Sequence, residues 1–277
     1  MKRIIFIVLI ISIIHFAASG FNDKESVCYN ENSSINLSDR NKTYQIKDVT
    51  FMMAYVEGGS FMMGATVEQG GRCEEDEYPP HDVILSSFFI GQTEVTQALW
   101  QAVMGDNPSY FADNPQRPVE MVSWYDCQRF ITKLNQLTGE HFRLPTEAEW
   151  EFAARGGSLS KGFRYSGSNK IDDVAWFWGN IPSQYSDSDD YGTQPVGTKL
   201  PNELLLYDLN GNVWEWCQDW YDFYDLSIKN NPTGPDSGLY HIYRGGCWID
   251  DDFRVSIRGY DESPSYKSSY VGFRLAL

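Results

Sequence analysis

The sequence predicts an α+β domain with little regular secondary structure: short helices combined with small mixed or antiparallel sheets. Three observations carry that expectation. Strand-like runs separated by turn signals fill residues 51–90, three short capped helical patterns follow, and after Gly157 the chain is mostly Gly, Asn, Asp, Ser and Trp in long loops. Aromatic residues make up 15% of the chain, nine of them Trp, so a packed core does not require many helices.

Taken in order, Met1-Lys2-Arg3, an apolar run from Ile4 to Ala18 broken by Ser12 and His15, and then Ser19-Gly20 predict a signal peptide over residues 1–20. The run is too short and too early for a membrane span, and no cysteine sits at its end to carry a lipid. Residues 21–50, rich in Asn, Ser, Lys and Asp, predict a flexible lead-in, which leaves 51–277 as the domain proper. Met52–Val56, a Gly58-Gly59 turn and Phe61–Gly64 predict a hairpin, and Val83–Leu85 with Phe88–Ile90 a further strand. Glu74–Glu77 between them reads as a solvated acidic loop.

A first helix is predicted over Thr93–Met104 by its Val95, Leu99 and Ala102 face, with Gly105 as C-terminal cap. A second starts at Ser123, carries Cys127, Phe130, Ile131 and Leu134 inward, and ends near Gly139. A third opens at Thr146, whose capping box with Glu149 satisfies orphan amides reciprocally, and closes at Gly156-Gly157. Beyond it, strands are expected at Trp214–Trp216, Tyr243–Trp248 and Val271–Leu275.

Removing residues 1–20 leaves 20 basic against 38 acidic residues, a net −18. Such a surface argues against nucleic acid and anionic membranes as partners and favours divalent cations. The five cysteines fit no C-x-x-C metal or redox spacing, and their odd number leaves one over in an exported chain. Cys217 with Cys247 is the favoured pair, because each lies in a motif expected to be central.

Those motifs gather around Leu206–Trp216. Asn210-Gly211 marks a tight turn flanked by the carboxylates Asp208 and Glu215, and if the carbonyls of Gly211 and Val213 turn inward, four hard oxygens converge, a set that suits calcium. The alternative is that both acids are solvated or cap local amides.

The chain resembles the formylglycine-generating, or sulfatase-modifying factor, family. The resemblance is carried in family order by Gly59–Gly64, Thr93–Thr96, Pro118–Trp124, Arg143–Glu151, Asn210–Trp216, Arg244–Gly246 and Gly272–Arg274. It implies a variant C-type-lectin-like fold and a structural calcium held by the side chains of Asp208 and Glu215 and the carbonyls of Gly211 and Val213. It also implies where catalysis would lie. The family's oxidases bind copper through two cysteines that follow the Gly-Gly-Ser motif, and these fall on Asp250 and Val255, so both copper ligands are missing. Cys247 stands where the family has Ser. A second branch of the superfamily holds iron with three histidines; His81, His141 and His241 are widely spaced and lack its helical pattern.

The expectation is therefore an exported, secreted or periplasmic bacterial domain that is not a working formylglycine oxidase, with calcium but neither copper nor iron. It would bind a peptide, glycan or envelope protein through Trp214, Trp248, Asp250, Asp251, Asp252 and Arg258. The competing reading is an oxygen-dependent metalloenzyme acting on a protein cysteine or related sulfur, with its site rearranged around Cys247.

Overall fold

The computed structural model describes residues 37–277 apart from positions 72, 189, 228, 252 and 261. The expected signal peptide, the first part of the lead-in, Cys28 and Asp252 lie outside the described residues. The ordered domain begins earlier than residue 51. Strand β1 (Lys42–Ile46) pairs antiparallel with β2 (Val49–Val56), joining Ile46 to Val49 in register. Polar residues hide this strand in the sequence, because only Ile46 is buried and the other positions face partly outward.

The predicted hairpin between residues 52–56 and 61–64 does not form. β2 pairs on its other edge with β5 (Phe88–Gly91), while β3 (Gly59–Met63) pairs with β4 (His81–Leu85) in a separate two-stranded sheet. The chain changes sheet at Gly58 and at Ser86-Ser87, so the expected single strand over 83–90 is two strands. At its end the chain returns to this edge, Phe89 and Leu277 exchanging backbone hydrogen bonds in both directions.

The helices follow their local signals closely. α1 (Gln97–Met104) starts four residues after the predicted Thr93, capped by the Thr96 hydroxyl and closed by Gly105 in the left-handed region. α2 (Trp124–Thr138) opens with Ser123 and Asp126 in a reciprocal box and buries Cys127, Phe130, Ile131 and Leu134. α3 (Glu147–Ala154) has the Thr146–Glu149 box and is buried on every side. One further turn, α4 (Ile171–Val174), precedes the long loops, and among the described residues no helix is long and apolar enough to cross a membrane.

A four-stranded sheet ordered β8-β7-β6-β9 gathers the C-terminal motifs. β6 (Trp214–Trp220) lies antiparallel to β7 (His241–Arg244) and parallel to β9 (Val271–Gly272), and β8 (Arg258–Gly259) covers the outer edge of β7. The strand expected over 243–248 stops at Arg244. Gly245 and Gly246 both take positive φ, and a Cβ on Gly246 would lie 2.0 Å from the Phe253 ring, so the chain leaves the sheet there. Two apolar cores flank these sheets, one around Trp100, Phe130, Trp216 and Phe273, the other around Trp150, Phe152, Leu206 and Ile242.

Candidate functional site

The Leu206–Trp216 turn is held by its asparagines. Asn210 accepts from the Ser166 amide and donates to the Phe253 carbonyl. Asn212 accepts from the Gln194 amide and donates to Glu94 Oε1 at 3.1 Å and to the Gln194 carbonyl. Gly211 is obligatory, since with φ at 74° a Cβ would meet the Trp176 carbonyl at 2.2 Å. Two side chains thus pin three loops, which is how so much irregular backbone stays fixed.

The two flanking acids have different environments. Glu215 is fully buried, and its oxygens accept from Arg274 Nε and Nη2, both at 2.5 Å, and from Trp150 Nε1 at 2.7 Å. Those donors take the carboxylate that a metal would need, so Glu215 does not fit as a calcium ligand. Asp208 does fit by donor chemistry. One oxygen accepts from the Gly197 amide at 2.7 Å, while Oδ1 is buried with no donor among the described residues other than the neighbouring Glu94 carboxyl. Glu94 lies near enough to act on it electrostatically, and Glu94 Oε2 is likewise buried without a donor. Burial, then mutual repulsion, pushes the Glu94 carboxyl well up; burial likewise raises Asp208. The oxygens available to a hard cation are those of Asp208 and Glu94 rather than Asp208 and Glu215. Gly211 and Val213 stay buried inside the turn. Sequence reasoning missed Glu94, although it stands in the quoted Thr93–Thr96 motif.

Beyond Gly246 the structure brings together Trp214, Cys247, Trp248 and Asp250. The Cys247 thiol donates to Asp250 Oδ2 at 3.1 Å, and the Cys247 amide donates to the same oxygen at 2.9 Å. Trp214 also donates to that carboxylate. Burial, and after it the Asp250 charge, holds the thiol well above its ordinary range. Cys247 is therefore not half of a disulfide with Cys217; both are free, Cys217 facing into the second core from β6. Val255, the position of the family's second copper cysteine, is an apolar core residue. One protonated thiol on a carboxylate, with no second sulfur, does not fit copper(I). His81, His141 and His241 form no metal-holding group among the described residues. His241 instead lies stacked between Trp124 and Trp220, 3.9 and 3.7 Å from their ring centres.

Around this cluster an aromatic rim assembles that the sequence did not reveal. Trp248 meets Phe111 and Tyr191 edge to face at 5.4 and 4.9 Å, and Tyr110, 72% exposed, packs on Phe111. The Trp178 amide reaches the Asp250 carbonyl, and Trp178 and Ile249 are both exposed. Asp251 is exposed beside them. Arg258, expected here, belongs elsewhere: its guanidinium is buried against Glu147 at 2.7 Å and over the rings of Tyr221 and Tyr224.

The fold and this site define a sulfatase-modifying-factor-type domain of C-type-lectin-like architecture. The chain belongs to the Sulfatase-modifying factor enzyme 1-like domain family, which it matches over residues 42–277. It is 36% identical over 239 residues to the chaperone protein LppX of Paenibacillus barcinonensis, covering 71% of this chain and 78% of that one. With the formylglycine-generating enzyme of Thermomonospora curvata the identity is 35% over 198 residues, 66% of this chain and 62% of the enzyme, so the chain spans about three-fifths of that relative's length. Among solved structures, Treponema denticola variable protein 1 superposes with a TM-score of 0.74 at 33% identity, covering 86% of this chain and 98% of that one.

Proposed function

We propose that the protein is an exported, non-oxidative binding module of this family, with the exposed aromatic rim beside the Trp214–Cys247–Asp250 cluster as the seat for a peptide segment of a partner protein. The single observation that carries the reading is the Cys247–Asp250 hydrogen bond, which holds as a thiol the one cysteine of this cluster among the described residues. Exposed Tyr110, Trp178 and Ile249 supply rigid aromatic and apolar contact area of the kind that anchors interfaces. The name of the LppX relative, a chaperone protein, is in keeping with protein binding. A structural calcium enters this reading with Asp208 and Glu94 as its carboxylates, where it would neutralise two buried acids and fix the turn.

The test is chemical. The purified domain is supplied with copper(I), oxygen and a Cys-x-Pro-x-Arg peptide, and mass spectrometry follows the cysteine. The peptide is expected unchanged. Formylglycine formation that is lost in Cys247→Ser would overturn the reading and establish the oxidase.

A further inference from the structure

A cavity of about 160 Å³ lies away from Cys247, between α3, the end of β6 and residues 222–225 and 232–235. Its apolar walls are Met63, Ala148, Phe223, Pro232 and Pro235. Two polar groups inside it have no counterpart. Asp219 is 5% exposed and accepts from the Glu147 amide through Oδ2 at 2.9 Å, but no cationic side chain pairs with it among the described residues. The Tyr224 hydroxyl is buried with no hydrogen-bond partner among the described residues.

His81 also lines the cavity, 4.6 Å from the Tyr224 ring, and its Nδ1 is hydrogen-bonded to the Pro79 carbonyl. The arginines nearby are already committed. Arg258 gives Nε and Nη2 to Glu147 and its remaining donors to the carbonyls of Asp76 and Asp222; Arg244 is shared between Glu147 and Glu151. His241 supplies no charge either, since burial lowers it to about 4 between its two tryptophans. Exposed Asp222 and Asp225 add negative charge at the mouth, which draws cations in. A hard metal wants several converging oxygen donors, and among the described residues no group of three or more Asp, Glu, His or Cys is placed to hold one. An organic cation uses both features, because its body fills the apolar space while its head meets the carboxylate. A cavity of about 150 Å³ accommodates a molecule of benzene's size, which sets the scale.

We propose that this cavity binds a small primary ammonium group, free or as the end of a peptide lysine, with the Asp219 carboxylate as counter-ion and the Tyr224 hydroxyl as second acceptor. The test is an NMR titration of the whole domain with n-butylammonium and, separately, 1-butanol. The ammonium ion is expected to perturb Trp220 and Tyr224 and to bind at least ten-fold more tightly than the alcohol. Asp219→Asn keeps the acceptor for the Glu147 amide and removes the charge; it should cut ammonium affinity at least ten-fold with no fall in Tm. Tyr224→Phe should weaken binding several-fold. A Gly-Lys-Gly peptide binding as tightly as n-butylammonium makes peptide lysine the source, whereas binding of the free amine alone makes it a metabolite; either supports the site. Equal affinity for amine and alcohol, or an unchanged affinity in folded Asp219→Asn, would overturn it.

Discussion

Glu215 and Asp219 stand four residues apart on β6, both buried, with opposite surroundings. Glu215 is enclosed by Arg274 and Trp150, so its charge is matched and its oxygens are filled. Asp219 accepts only from backbone amides and has no matching cation among the described residues, and burial pushes its carboxyl up to about 8. The first arrangement ties β6 to the chain's end and leaves nothing for a ligand. The second is tolerable only because the acid keeps its proton, which leaves a charge to be called out by something that enters. In this fold a matched buried acid marks scaffold and an unmatched one marks a place open to chemistry.

The largest test of that contrast is at the matched end. Arg274→Met strands the Glu215 charge among apolar groups and should cost about 3–5 kcal/mol in urea unfolding, the usual effect of breaking a buried pair. Arg274→Met combined with Glu215→Gln removes the stranded charge and should recover a large part of that loss. A double variant no more stable than Arg274→Met alone would mean that Arg274 acts through its bonds to the Gly91 and Tyr207 carbonyls rather than through the ion pair.

The unmatched end should respond in the opposite direction. Asp219 titrates near 8 when folded and near 4 when unfolded, so the folded protein holds an extra proton across that interval and stability falls as pH rises through it. Glu147 and Glu149 of α3 reinforce the shift, and Glu120, raised to about 7 by burial, contributes with the same sign. Asp219→Asn should therefore raise stability at pH 8 by at least about 2 kcal/mol, each pKa unit being worth about 1.4 kcal/mol, and by little at pH 4. A destabilised variant at pH 8 would place a compensating charge beside Asp219 and dissolve the comparison.

The helices and the family motifs were legible because their signals are local. Thr96, Ser123 and Thr146 cap within three residues, and Gly105 and Gly139 close within one turn. Sheet pairing was not legible. Nothing near Met52–Val56 says that its partners are Lys42–Ile46 and Phe88–Gly91 rather than the next apolar run, because register is decided by the whole core. The same limit governed the site. Cys247 and Asp250 are three residues apart and their neighbourhood could be read, whereas the partners of Glu215 and Arg258 lie 59 and 111 residues away. Turn spacing and family resemblance put Glu215 in a calcium set and Arg258 beside Cys247, and neither signal carries these distant partners.

Asp208 and Glu94 are the intermediate case, two buried acids with Arg274 close enough to lower both, yet each with an oxygen lacking a donor. A shared proton or a divalent cation satisfies such a pair, and the two differ in what they respond to. With a calcium ion, a tenfold excess over its Kd should stabilise by about 1.4 kcal/mol, which for a domain of this size raises Tm by about 3–6 °C. A chelator should reverse the rise, and Asp208→Asn should abolish it while leaving the Arg274–Glu215 pair in place. If Tm ignores both calcium and chelator and Asp208→Asn instead stabilises the fold above pH 6, the pair holds a proton, and Asp208 joins Asp219 as an acid kept neutral by burial.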